Sequence, residues 1–212
     1  MGIYREQVLP RITNLVMGSS DHVPIRRRVC AGLSGEVVEI GFGSGLNVPH
    51  YPDSVTRVYA VEPAVLGRRL AAERLAKSRV PVEFIGLDGQ ALPVESESVD
   101  HVLSTWTMCT IPDISRALAE IRRVLRPNGS LHFVEHGLSP DARVARWQHR
   151  LTPLQRKIFG GCHLDRPIGE LIAGSGLRVD TLETYYVPGT KVDGYTFEGR
   201  ATKGTGDTPL PN

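Results

Sequence analysis

Three glycines at alternate positions close an apolar run. In "VVEIGFGSGLN", Val37 to Asn47, these are Gly41, Gly43 and Gly45. Without a Cβ, such residues take left-handed turns and let backbone come close to a ligand. Glu39 stands two residues before the turn and Asn47 two after it. Further acids follow at the ends of later apolar runs. "VYAVEP" places Glu62 about twenty residues beyond the first glycine, where an acid accepts from ribose hydroxyls. "IGLDGQALP" places Asp88, Gly89 and Gln90 at the end of the third run. The fourth run carries Ser104, Thr105, Trp106 and Cys109, and the fifth ends in Glu135 and His136.

The third glycine comes one position too early for G-x-G-x-x-G, which counts against a dinucleotide and a dehydrogenase. A glycine loop, a ribose acid and an acid near a base describe an adenosine without pyrophosphate, and S-adenosylmethionine meets that description. Its sulfonium already activates the methyl group, so a protein needs mainly to align an acceptor and exclude water. His136 is the candidate catalytic base, because imidazole titrates near neutral pH. Glu135 is the second catalytic candidate, able either to act on a neighbour or to be capped by backbone amides. Trp106 and Met108 are expected to form an apolar wall near the donor. "FGGCHLDR" bends at its glycines, which can deliver Cys162 or His163 to the cleft, or serve as a helix-linking turn whose Asp165 caps the next helix. His22, His50, His101, His132 and His149 are scattered, so no metal site is evident; Mg²⁺ held by carboxylates stays open.

"VVEIGFGSGLN", "VYAVEP", "GLDGQALPVESESVDHVLS" and "EIRRVLRPNGSLHFVEH" together resemble the successive motifs of class I S-adenosylmethionine-dependent methyltransferases, over residues 35–135. Downstream, "VEHGLSPDARVARWQHRLTPLQRKIFGGCHLDR" resembles the thiol S-methyltransferase (methyltransferase-like seven) branch, with its "EH…W-Q…DGC-LTR" pattern. The chain is more loosely similar to ubiquinone/menaquinone and phosphatidylethanolamine methyltransferases. The resemblance implies that Glu39, Gly41, Gly43 and Gly45 form the methionine- and ribose-side loop, with Asn47 in the next turn. It implies that Glu62 holds the ribose diol, Pro63 or Ala64 packs on adenine, and Asp88 accepts from the adenine amino group beside Gly89 and Gln90. Ser104, Thr105 and Trp106 then line the methionine end. Cys109, Cys162, Asp165 and Arg166 match the thiol branch; His163 does not. Phe42 departs from the family, which commonly has cysteine or alanine there. The apolar N-terminal segment of the animal thiol enzymes has no counterpart here. Resemblance in such a superfamily carries fold and cofactor further than acceptor.

These residues need an alternating scaffold. Strands are expected at Val37–Ile40, Val58–Val61, Val82–Leu87, Val99–Ser104 and Ser130–Glu135, with two more in "RVDTLETYYV" and "GYTFEGRAT". Helices are expected at Leu46–His50, Val65–Lys77, Ile114–Leu125 and Pro167–Ser175. That alternation argues an α/β, Rossmann-like class I fold: a mostly parallel seven-stranded sheet, helices on both faces and a helical lid. Residues 1–33 read as a helical cap, in which Ile3–Met17 is amphipathic and kinked at Pro10. Tyr4 is a substrate candidate if this cap forms part of the lid. Arg26, Arg27 and Arg28 read as a solvated face. Residues 137–166 read as the lid insertion, with Val144, Trp147, Leu151, Leu154 and Ile158 opposing a basic face. The expected single domain ends at 203, and 204–212 lacks apolar content and reads as a disordered tail.

The 212 residues suit one domain with a full core, and a net charge of +2 gives no case for nucleic acid. Three widely spaced cysteines without a CxxC pair suggest a reducing, cytoplasmic setting. No run is long and apolar enough to span a bilayer. The expected activity is methyl transfer from S-adenosylmethionine to a thiol or hydroxyl of a small-molecule acceptor. One alternative is O-methylation of a sugar or other polar metabolite with His136 as base, and amines or lipid headgroups come third. A non-catalytic S-adenosylmethionine-binding module is the rival of another class. A homodimer is left open.

Overall fold

A computed structural model describes residues 4–204. Seven strands form one sheet: β1 (Gly35–Ile40), β2 (Val55–Val61), β3 (Val82–Gly86), β4 (Val99–Thr105), β5 (Leu125–His136), β6 (Arg178–Tyr186) and β7 (Tyr195–Thr202). Their order is β3-β2-β1-β4-β5-β7-β6. β1 to β5 run parallel, and β7 runs antiparallel between β5 and β6. β1 is buried along Val37–Ile40 rather than alternating, as a central strand covered on both faces must be. The order reverses between β1 and β4. Ligands gather in the crevice outside the carboxyl ends of strands at such a point.

Helices α1 (Leu9–Met17), α2 (Val23–Cys30), α3 (Val65–Ala76), α4 (Ile114–Val124), α5 (Ala142–Ile158) and α6 (Ile168–Ala173) complete the layers. α4 buries Ile114, Ala117, Leu118, Ile121 and Val124, a stripe at helical spacing. Its first turn is capped by Asp113, which accepts the Arg116 N–H at 3.0 Å. That stripe, with α6, packs on the face that presents Val38, Val102, Leu131 and Phe133. α2 covers the opposite face, placing Ile25, Val29 and Cys30 against Val37, Val58, Leu103 and Val134.

Several expectations change in detail. Pro10 does not kink the middle of a helix. It falls at the start of α1, where its missing N–H costs nothing, and a π-helical turn Tyr4–Val8 precedes it; Ile3 lies outside the described residues. The "RPNG" stretch bulges out within β5: the β4 register passes from Val99↔Leu125 to His101↔Ser130, and Asn128 has φ +66. The arginine run is not one solvated face. Arg26 is buried, Arg28 is exposed but holds Glu198 at 2.6 Å, and Arg27 is exposed.

α5 departs most. It starts at Asp141, which accepts the Arg143 N–H at 2.7 Å, and carries Pro153 inside. Its inward line is Val144, Gln148 and Thr152 rather than the apolar stripe. Gln148 explains this. Its amide accepts the Ser139 N–H at 2.9 Å and donates to the carbonyls of Gly137 and Val192, both at 3.0 Å. Trp147, Leu151, Leu154 and Ile158 are left exposed.

Candidate active site

A cavity of about 700 Å³ opens at the carboxyl ends of β1, β2 and β3. Ile40, Gly41, Val61, Pro63, Asp88 and Gly89 form its floor. Thr107 to Pro112 and the end of α5, through Pro153, Arg156, Lys157, Gly160 and Gly161, form its far side. The volume suits a nucleoside-sized ligand. The end of the insertion therefore borders the cavity.

The glycine loop has the conformation its sequence requires: Gly41, Gly43 and Gly45 have φ of +73, +56 and +73. A Cβ on Gly41 would run into Thr107, so that approach is also closed to other residues. Glu62 at the tip of β2 accepts the Gly43 N–H at 2.6 Å and the Ala64 N–H at 2.7 Å. Burial pushes its carboxyl up, and the two N–H bonds pull it back. Asp88 accepts the Gln90 backbone and side-chain N–H groups, both at 2.9 Å. These bonds hold its carboxyl below the usual range, so it is charged and faces the cavity. Gln90 supports Asp88 and accepts the Asp113 N–H at 3.0 Å.

Glu39, Asn47 and Thr105 lie elsewhere, in a buried network. Asn47 donates to Glu39 at 2.9 Å and to Thr105 at 3.0 Å, and Tyr51 donates to the other Glu39 oxygen. Arg26 donates to Asn47 Oδ1 at 2.7 Å and to Thr105 at 3.3 Å. Burial raises Glu39 to about 7, against the bonds from Tyr51 and Asn47 and the charge of Arg26. It lowers Arg26 to about 10. The guanidinium stacks 4.9 Å from the Trp106 ring, and Trp106 itself has φ +52. Arg26 Nε and Trp106 Nε1 are both buried without a hydrogen-bond partner. Sequence reasoning missed Arg26. The available signal was its position on the apolar face with Ile25 and Val29, three and four residues apart from Val29 and Cys30.

The two catalytic candidates separate. Glu135 is fully buried: it accepts from Ser104 Oγ at 2.7 Å, from the Thr107 and Met108 N–H groups at 3.0 Å and from the Cys109 N–H at 3.1 Å. Its carboxylate fixes the loop after β4 rather than facing an acceptor, and Ser104 is spent on it. His136 is half-buried at the tip of β5, its ring 6.4 Å from that of Trp106. Cys109, His136 and Cys162 converge, with one ligand-type atom of each within 4.8 Å of the others. The two thiols are in hydrogen-bond contact at 3.8 Å; the contact with Cys109, then His136, pulls the Cys162 thiol down, while the Cys109 thiol is pushed up.

The remaining substrate candidates lie further out. Tyr4 is exposed and donates to the Ile158 carbonyl at 3.0 Å, tying the N-terminal cap to the end of the lid. His163 stands beside the cluster, its backbone N–H on the Cys109 carbonyl at 2.9 Å. Asp165 does not cap α6. It accepts from His149 at 2.9 Å, while Arg166 donates to the carbonyls of Met108, Ile111 and Pro112.

The strand order, the reversed β7 and the loop-and-acid cavity define a class I S-adenosylmethionine-dependent methyltransferase fold. A solved structure from Thermotoga maritima, titled a SAM-dependent methyltransferase and possible histamine N-methyltransferase, superposes with a TM-score of 0.67 at 22% identity, covering 95% of this chain and 98% of that one. Residues 38–133 match the family described as "Methyltransferase domain". It is 34% identical over 141 residues to the thiol S-methyltransferase TMT1B of Rattus norvegicus, covering 64% of this chain and 57% of that protein. The chain thus spans less than two thirds of that relative's length. It is 29% identical over 166 residues to a phosphatidylethanolamine N-methyltransferase of Cereibacter sphaeroides, covering 73% and 77%. Among the described residues no helix is long and apolar enough to cross a membrane.

Proposed function

We propose that this protein transfers the methyl group of S-adenosylmethionine to the thiol of a small-molecule acceptor. The observation that carries the cofactor is the pairing of Glu62 with the Gly43 N–H, next in the chain to the Gly41, Val61 and Pro63 that line the cavity with Asp88. Adenosine fits with its ribose hydroxyls on Glu62 and its adenine between Pro63 and Asp88. The unpartnered Arg26 Nε and Trp106 Nε1 support a methionine end at Trp106, with its carboxylate on Arg26. Buried donors left unpaired are costly, and an anionic ligand relieves that cost.

The thiol acceptor rests on the likeness to the thiol S-methyltransferases together with the convergence of His136 at the tip of β5, Cys109 in the loop after β4 and Cys162 in the turn after α5. A free thiol titrates near 8.5, so modest help yields the thiolate, whereas a hydroxyl needs a strong base. The donor supplies an activated methyl group. The chain's residues align the acceptor with the S–CH3 bond and exclude water under the lid.

Calorimetry with S-adenosylhomocysteine tests the cofactor, and turnover of labelled S-adenosylmethionine over thiols, sugars, phenols and amines tests the acceptor. Methylation confined to thiols is the expected result. Activity on a hydroxyl that is lost in His136→Ala would replace it with base-assisted O-methylation. Binding without turnover on any acceptor would leave a cofactor-binding module.

A further inference from the structure

We infer that Cys109, Cys162 and His136 form a zinc site whose remaining coordination position takes the acceptor as its thiolate. The inference rests on the thiol-methylation reading above.

Two sulfurs and one imidazole nitrogen lie within 4.8 Å of one another, although they come from three separate pieces of chain. Cys109 is in the loop after β4, His136 is the last residue of β5, and Cys162 is in the turn leaving α5. The Sγ–Sγ distance is 3.8 Å. Two thiolates on a tetrahedral ion at about 2.3 Å hold their sulfurs about 3.8 Å apart. A disulfide brings them to about 2.05 Å. The pair sits as free thiols in hydrogen-bond contact, a separation at which both sulfurs can also ligate one ion without moving apart.

The donor set selects the metal. Two thiolates and an imidazole without a carboxylate suit zinc and exclude magnesium or calcium. Among the described residues no fourth Cys, His, Asp or Glu joins the cluster. Structural zinc sites close with four protein ligands, while catalytic ones keep three and leave a position for a ligand. His136 is the member with appreciable exposure and its ring lies 6.4 Å from that of Trp106, so the open position is assigned to that side.

The ligands are fixed from behind. The Cys109 N–H is on Glu135 at 3.1 Å and its carbonyl accepts the His163 N–H at 2.9 Å, which joins the β4 loop to the turn of Cys162. The Cys162 N–H is on the Phe159 carbonyl at 3.1 Å. Arg166 holds the same loop through the carbonyls of Met108, Ile111 and Pro112. Supports of this kind set ligand geometry.

The step balances without a redox partner. The acceptor thiol gives its proton to solvent as its sulfur replaces water on zinc, which keeps a bound thiol deprotonated at neutral pH. A sulfur lone pair then attacks the methyl carbon. The new S–CH3 bond forms as the sulfonium C–S bond breaks, and that electron pair stays on S-adenosylhomocysteine. The thioether is a weak ligand and leaves, and water returns.

The full chain, purified from zinc-supplemented culture, is expected to carry about one zinc per molecule by plasma mass spectrometry. Cys109→Ser, Cys162→Ser and His136→Asn should each reduce this roughly tenfold or more. Their affinity for S-adenosylhomocysteine should stay within about twofold, which shows that the fold and cofactor pocket survive. Cobalt(II) exchanged into the wild type should show sulfur-to-metal charge-transfer absorption that shifts when 2-mercaptoethanol is added. A protein that takes up neither zinc nor cobalt, its two thiols free or joined as a disulfide, overturns the site. A cobalt spectrum indifferent to 2-mercaptoethanol overturns the acceptor position. Failure of the wild type to bind S-adenosylhomocysteine would instead sink the methyltransferase reading, and the metal content would still decide the site.

Discussion

The Glu62 carboxylate accepts the Gly43 backbone N–H at 2.6 Å, so the acid at the tip of β2 and the glycine loop after β1 act as one unit. The other oxygen is fixed by the Ala64 N–H at 2.7 Å. Each oxygen keeps a second lone pair for a ribose hydroxyl. Glu62→Gln has only one acceptor oxygen for the two N–H groups and turns its own N–H₂ toward a donor. The ribose hydroxyls then lose at least one charge-assisted bond to the carboxylate, worth about 1.5–3 kcal/mol. The expected result is a tenfold to hundredfold weaker affinity for S-adenosylhomocysteine, roughly the same energy converted. A change below about twofold in calorimetry would remove Glu62 from the site.

That pair was legible in the sequence because both members are local: a glycine turn ending one apolar run and an acid ending the next. Asp88 and Gly89 followed by the same logic, since parallel strands end on one edge. Arg26 was not, because a run of three arginines looks solvated until α2 is docked on the sheet. The Cys109–His136–Cys162 cluster was not either. Each residue was a candidate on its own, but their convergence depends on where the chain returns after α5. The α5 stripe misled for a related reason: the Gln148 amide satisfies three backbone groups, and that outweighs an apolar face with nothing to cover it.

Glu135 is expected to matter for stability more than for chemistry. Its two oxygens gather four donors around the loop after β4, although burial pushes the carboxyl up. Glu135→Gln leaves at least the Cys109 N–H facing an N–H₂ group in a buried setting. A loss of about 2–3 kcal/mol in urea unfolding is expected, with reduced turnover following from the displaced loop. Unchanged stability with abolished turnover would contradict this and return Glu135 to the chemistry.

Arg26 gives a test that separates the two ends of the cofactor. If it holds the methionine carboxylate, Arg26→Lys loses the planar fork and weakens S-adenosylhomocysteine binding roughly tenfold or more. Adenosine has no carboxylate, so its affinity should stay within about twofold of wild type. Equal loss for both ligands would show that the change acts through the Asn47–Thr105 network instead.

His132 should set the acid limit of the fold. It is buried in β5, its Nδ1 3.1 Å from the Val29 carbonyl and its Nε2 3.1 Å from Ser130 Oγ. The His101 ring stands edge-on at 5.1 Å. Burial, then His101 and Arg200, lower its pKa to about 4, and only the Val29 carbonyl opposes them. The folded value lies below the unfolded one of about 6.5. Its contribution is therefore complete above pH 6.5 and is lost as pH falls toward 4, where the unfolded chain takes up a proton the folded chain refuses. The largest loss this allows is roughly 3 kcal/mol. His132→Gln lowers stability at neutral pH by removing a paired group, yet it should flatten the decline between neutral and acid conditions by about 2 kcal/mol. Urea unfolding at a series of pH values measures both. An acid decline as steep in the variant as in the wild type would move the responsibility to the buried carboxylates.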